Sequence, residues 1–324
     1  MRRLLVWILA AALVLAVPAI IVLMLRPAAP PAPPEPVVLL YDDARRAFLK
    51  LPLETYLAGV VAAEMPASFA PEALKAQAVV ARTYTLQHLR AFGGAGCAAH
   101  PPADVCSLPE ESQAWLPQSA LRQRWGAAFR ANWRKVNAAV QATRGLVALY
   151  GGQPIDAVYF AASGGRTEDA RFVWGRVVPY LKSVPSPGER DPYEGAAARF
   201  TWPELAQRLQ LDTASLERRP PPDRFAVLSR TPSGRAFYVR VGDEILKATE
   251  LRDRLDLRST WIVAERADHQ GLTLYTKGWG HGVGLSQYGA QAMAERGVDF
   301  RTIIRWYYQG VEVAPWTSWT GTTR

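Results

Sequence analysis

An α+β fold is predicted, with a helical pair packed on antiparallel strands and an N-terminal transmembrane helix ahead of it. Three observations carry this prediction. Residues 51–88 hold two helical stripes on either side of Pro66. Short β-rich runs punctuated by Gly and Pro follow through most of the remaining chain. Residues 4–25 form one unbroken apolar run behind Arg2 and Arg3.

The 324 residues, 49 % of them hydrophobic, suffice for one or two domains with a sizeable core. The formal net charge is +9. The cations are scattered without a block of five or six. That argues against a nucleic-acid-binding arm and for a generally basic surface, suited to an acidic polymer or an anionic membrane. No nucleic-acid partner is expected.

The apolar run of 22 residues is long enough to cross a hydrocarbon core of about 30 Å. Its small-residue cleavage signal is weak, so residues 1–26 read as an uncleaved anchor in preference to a signal peptide. Positive charge at the extreme N-terminus puts that end inside and the bulk of the chain in the extracytoplasmic space. Residues 27–36, six of them proline, read as a polyproline II spacer. A folded domain is expected over 37–313, with an insert at 190–225, and a polar tail over 314–324.

Residues 37–41 and 48–52 read as a hairpin. The first helix then places Leu53, Tyr56, Leu57, Val60 and Val61 on one stripe. Glu64, four residues after Val60, continues it, and Pro66 ends the helix at Met65. A carboxyl group on the buried face at a helix C-terminus is disfavoured in its charged form by desolvation and by the helix dipole. A neutral carboxylic acid near pH 7 suits a general acid. The same spacing also permits Glu64 to turn outward in the last turn.

The second helix opens with Pro71 and Glu72, both favoured there. Its many alanines permit close packing. Arg82 and Tyr84 either reach a neighbouring loop or ligand from that surface or occupy a solvated face. Residues 93–115 form a loop with Cys97, His100 and Cys106. In an exported chain such a pair reads as a disulfide; zinc is the alternative, with His88 or Asp104 as a fourth ligand.

Residues 125–145 read as a helix, and 146–150 with 155–161 as a hairpin around Gly151-Gly152. Ser163-Gly164-Gly165 is a tight turn whose amides face a ligand, without the spacing or Lys of a phosphate loop. Glu168 and Asp169 suit a helix start. A helix is expected at 200–211, strands at 225–229, 236–241, 261–265 and 272–276, and a helix at 248–255. Glycines 278, 280, 282 and 284 alternate with Trp279, His281 and Val283. That is a poor strand or helix, and makes sense where something approaches the backbone closely. A helix follows from Ser286, packed through Leu285, Tyr288, Gly289, Ala292 and Met293, and a last one spans 302–308.

These pieces resemble the SpoIID/LytB family. The matching segments are YLAGVVAAEMP, ALKAQAVVARTY, YFAASGGRTED, SGRAFYV, LRDRLDLRS and GWGHGVGLSQYGAQAMAERG, in the family's order over roughly 37–313. The resemblance implies a mixed α/β fold, peptidoglycan as substrate, and Glu64 as the acid of a lytic transglycosylase acting on glycan strands stripped of stem peptides. It implies sugar-binding or cleft-shaping roles for Arg82, Tyr84, Ser163, Gly164, Thr167, His281, Gln287 and Tyr288. A family member that binds peptidoglycan and stimulates a cell-wall amidase is the alternative. Two departures stand out. Phe160-Ala161-Ala162 replaces the family's His and polar residues, and Ser112 stands where a further Cys often occurs, which leaves a zinc set incomplete.

Overall fold

The computed structural model describes residues 34–319. The expected membrane anchor, residues 1–26, lies outside the described residues. Among the described residues no helix is long and apolar enough to cross a membrane.

From Val37 the chain is a mixed α+β domain. Strand β1 (Val37–Asp42) and β2 (Ala47–Pro52) form an antiparallel hairpin. Helix α1 (Leu53–Glu64) is buried on nearly every side, as an apolar sequence without a polar face requires. It ends where proline dictates, with Met65 in extended conformation before Pro66. Helix α2 (Pro71–His88) starts with Pro at its first position and packs its alanines against α1. The short strand β3 (Val105–Cys106) adds parallel to β1.

Helix α3 (Gln118–Trp125) ends at Gly126, at φ +52°, and the helix expected at 125–145 is α4 (Phe129–Ala142). Strand β4 (Leu146–Tyr150) pairs with β5 (Gln153–Pro154), but the run expected at 155–161 keeps only β6 (Tyr159–Phe160) as strand. Helix α5 (Ala170–Trp174) is capped by Asp169, which accepts from the Arg171 amide.

The chain then builds a second apolar cluster. Its elements are β7 (Ala196–Thr201), α6 (Trp202–Leu209), α7 (Thr213–Glu217), β8 (Phe225–Arg230), β9 (Ala236–Val241), β10 (Glu244–Lys247), α8 (Ala248–Leu255), β11 (Ile262–Ala267) and β12 (Gly271–Thr276). Two antiparallel sheets, β10-β9-β8 and β11-β12-β7, enclose Leu205, Val239, Val241, Leu251 and Leu274. The inserted unit is therefore larger than 190–225. Residues 200 and 201, expected to open a helix at 200–211, instead end strand β7, which pairs with β12 along its whole length; the helix begins only at Trp202.

The main core resumes with β13 (Leu285–Ser286), which pairs parallel with β6. Helix α9 (Gln287–Glu295) follows, N-capped by Ser286, then α10 (Phe300–Tyr307), capped by Asp299. The supposed polar tail is partly structured. Strand β14 (Glu312–Pro315) pairs with β4, and Trp316 and Trp319 pack on Phe92.

Candidate active site

Glu64 is the last residue of α1, and its carboxyl group gathers donors from three separate segments. Oε1 accepts from the Ala114 amide at 2.9 Å and from the Tyr159 hydroxyl at 2.9 Å; Oε2 faces Gln287 Nε2 at 3.5 Å. Burial pushes the carboxyl pKa up, and the three donors pull it down without cancelling that rise. Each donor has a structural reason to be there. Gly59 lets Trp115 lie directly on α1, since a Cβ would sit 2.3 Å from its indole nitrogen. That contact lays residues 113–115 along the helix and aims the Ala114 N–H at Glu64. The pairing of β6 with β13 brings Tyr159 and Gln287 to the same point.

Behind this shell, Tyr159 Oη lies 3.1 Å from Gln113 Oε1, and Gln113 Nε2 donates to Thr85 Oγ1 at 3.0 Å. Burial and the adjoining Glu64 push the Tyr159 phenol far up, so it stays a hydroxyl and a donor.

The carboxyl group opens onto a cleft of about 820 Å³. One wall carries Tyr84 and Gln113, another Tyr159, Phe160 and Tyr288. Trp279 and Tyr193 form an aromatic corner, edge to face at 4.8 Å, with the Arg258 guanidinium over both rings. Trp279 remains 45 % exposed. Arg252 and Asp256 enter from the inserted unit.

His281 lines the cleft, yet both of its ring nitrogens are engaged. Nδ1 accepts from the Val283 amide at 3.1 Å, which leaves Nε2 to donate to the Tyr159 carbonyl at 3.0 Å. Burial lowers its pKa to about 4, with Arg252 and Arg235 adding to the effect. A neutral imidazole with both nitrogens occupied holds Tyr159 in place and has no proton to trade. The backbone approach anticipated at the alternating glycines is made by the chain itself. At Gly284 (φ +80°) a Cβ would meet the Val158 carbonyl at 2.2 Å, and at Gly280 (φ +111°) it would meet Phe160 at 2.6 Å.

Of the residues singled out from sequence, Glu64, Tyr84, His281, Gln287 and Tyr288 converge on the cleft. Arg82 does not. It is fully buried and paired with Glu54, Nε to Oε1 at 3.0 Å and Nη2 to Oε2 at 2.5 Å, with further bonds to the Leu146 and Val140 carbonyls. The sugar-binding role expected for it is corrected to that of a structural ion pair. Ser163, Gly164 and Thr167 also lie outside the lining. The amides of Ser163 and Gly164 and the Ser163 hydroxyl all donate to Glu189, so the turn is filled by a side chain of its own protein. Thr167 exchanges bonds with the Val184 backbone.

Sequence reasoning missed Tyr159, Gln113, Tyr193 and Arg252. Tyr159 sat in a run read simply as strand, and no local signal marked it. Cys97 and Cys106 are joined by a disulfide with Cα atoms 6.0 Å apart. The zinc alternative does not fit these residues. Both sulfurs are engaged, Asp104 accepts the Leu39 and Arg90 amides, His88 is stacked on Tyr84, and His100 is stacked on Tyr41.

A family model described as Stage II sporulation protein (SpoIID) matches residues 41–150, which include Glu64, Tyr84 and Gln113. Stage II sporulation protein D of Bacillus amyloliquefaciens is 37 % identical over 276 residues, covering 85 % of this chain and 77 % of the relative. The chain belongs to the stage II sporulation protein D family. The Bacillus subtilis (strain 168) protein of the same description is 35 % identical over 277 residues, covering 85 % of this chain and 78 % of the relative. The Amidase enhancer of Bacillus subtilis (strain 168) is 28 % identical over 313 residues, covering 78 % of this chain but 39 % of that longer protein. In this member of the family, residues outside the matched 41–150 complete the cleft around Glu64, among them Tyr159, Gln287 and Arg252.

Proposed function

We propose that this protein is a lytic transglycosylase that cuts peptidoglycan glycan strands free of stem peptides. Residues 1–26 would tether it to the membrane, with the cleft facing the wall. One observation carries the reading: a desolvated carboxyl group, held by three donors, lines a cleft with an exposed, braced tryptophan. The exposed aromatic corner suits the apolar face of a sugar ring.

In this mechanism the Glu64 carboxyl donates its proton to the glycosidic oxygen as the bond from the muramic C1 breaks. Positive charge develops on that sugar, and the departing strand leaves with a new hydroxyl. The carboxylate now takes the proton from the same sugar's 6-hydroxyl, whose oxygen bonds to C1 and closes a 1,6-anhydro ring. Glu64 ends protonated, as it began. The donors that hold it stabilise the carboxylate between the two proton transfers. Glu110 and Asp256, the other carboxylates of the cleft, are both exposed.

Digestion of stripped glycan strands tests the proposal. The wild type is expected to release anhydromuramyl ends, and Glu64→Gln to slow release by about 10²–10⁴-fold, the usual worth of a general acid. Because the reactive form is protonated and its pKa is raised, the rate should fall as pH rises through that raised value. Reducing-end products would instead indicate hydrolysis by a two-carboxylate route. The similarity to the Amidase enhancer supports a second reading, a peptidoglycan-binding protein that stimulates an amidase. Failure of both wild type and Glu64→Gln to cut glycan would favour it.

A further inference from the structure

We propose that Arg252 is a specificity residue that reads the free lactyl carboxylate of a muramic sugar bound in the Glu64 cleft. The inference rests on the glycan reading above and adds to it a reason for preferring strands without peptides. Muramic sugars carry a lactyl ether. Its end is a carboxylate when no peptide is attached and an amide when one is. An arginine fork distinguishes the two, because a carboxylate accepts two parallel N–H bonds and carries charge, whereas an amide offers one acceptor.

Arg252 is placed for this. It lies on α8, which Ala248, Leu251 and Leu255 fix to the core of the inserted unit, and its side chain is 27 % exposed in the cleft wall. Among the described residues its guanidinium hydrogen-bonds only Asp253, at 3.2 Å, a carboxylate that is itself 69 % exposed and free to turn to water. Its Nε is buried without a hydrogen-bond partner among the described residues, so the exposed part of the guanidinium is what a ligand can meet. The cleft as a whole is not a cationic trough, since Glu110 and Asp256 also line it. Of the other cations at the cleft, Arg124 sits exposed on α3 and Arg258 lies over the Tyr193 and Trp279 rings. His281, which feels the Arg252 charge, is neutral and supplies no competing cation. Anion recognition in the cleft that Glu64 lines therefore falls on one half-buried guanidinium.

The test separates binding from cutting by using Glu64→Gln as the background. Affinity is measured for stripped glycan strands with free lactyl carboxylates and for the same strands converted to methylamides. The background protein should bind the free acid about tenfold or more tightly, the scale of one charge-assisted bond. Adding Arg252→Gln should remove that difference while leaving affinity for the methylamide unchanged, and Arg252→Lys should restore part of it. Equal weakening toward both strands, or no discrimination in the background protein, overturns the proposal. Discrimination without cutting by the wild type would refute the transglycosylase and leave the Arg252 assignment standing. Failure to bind either strand would refute both. A thermal midpoint matching the background establishes that the variants are folded.

Discussion

Replacing Arg82 by Met separates the structural role found here from the ligand role its motif suggested. Arg82 Nε and Nη2 reach both oxygens of Glu54, and its remaining donors serve the Leu146 and Val140 carbonyls. With the cation gone, the buried Glu54 loses its guanidinium partner, while the Gly145 amide still reaches it at 3.4 Å. Breaking a buried pair from one side costs about 3–5 kcal/mol, because a charge is stranded. For a domain of this size that corresponds to a melting midpoint lowered by roughly 5–8 °C. Replacing both partners, Glu54→Leu with Arg82→Met, should recover most of the loss, since two apolar groups leave no stranded charge. Urea titration gives the free energies, and glycan digestion below the transition gives the activity of the folded fraction. The folded Arg82→Met protein should cut at a near-normal rate. A variant that melts within about 2 °C of wild type yet has lost activity would refute the reasoning and return Arg82 to the chemistry.

Three further outcomes are expected. Tyr159→Phe removes a donor that lowers the Glu64 pKa, so the alkaline limb of the pH–rate profile should move to higher pH; a move to lower pH would mean the hydroxyl favours the neutral acid. Cys97→Ser with Cys106→Ser opens a loop closed across nine positions, and should lower stability by about 2–3 kcal/mol in denaturant without changing kcat. Gly284→Ala forces a Cβ against the Val158 carbonyl at positive φ; a loss of about 2–4 kcal/mol, with activity falling as the β6–β13 pairing separates, is the outcome to look for by calorimetry.

Much of the fold is local and was readable as such. The two helices around Pro66 follow from apolar spacing and from proline at one end and at the next start, and α1 and α2 begin and stop accordingly. The same arithmetic put Glu64 on the face of Val60 while leaving it able to turn outward, and the family resemblance singled it out. What periodicity does not carry is partnership across the chain. Residues 196–201 have no local feature that makes them a strand; β12, seventy residues later, supplies the hydrogen bonds. Arg82 illustrates the same limit. Its place on a tightly packed helix was legible, but only the fold brings Glu54 to it and turns a ligand candidate into a buried pair.

By itself, then, the sequence determined where the two helices around Pro66 start and end, and put one carboxyl group on the apolar stripe of the first of them. Those outcomes depend on backbone sterics and on contacts within a few residues. The tertiary structure alone decided which groups surround that carboxyl. Ala114, Tyr159 and Gln287 come from segments 50, 95 and 223 positions away, and no local rule relates them. The shift in its proton affinity arises from the water this assembly excludes, which is a property of the packed chain and of no single stretch of it.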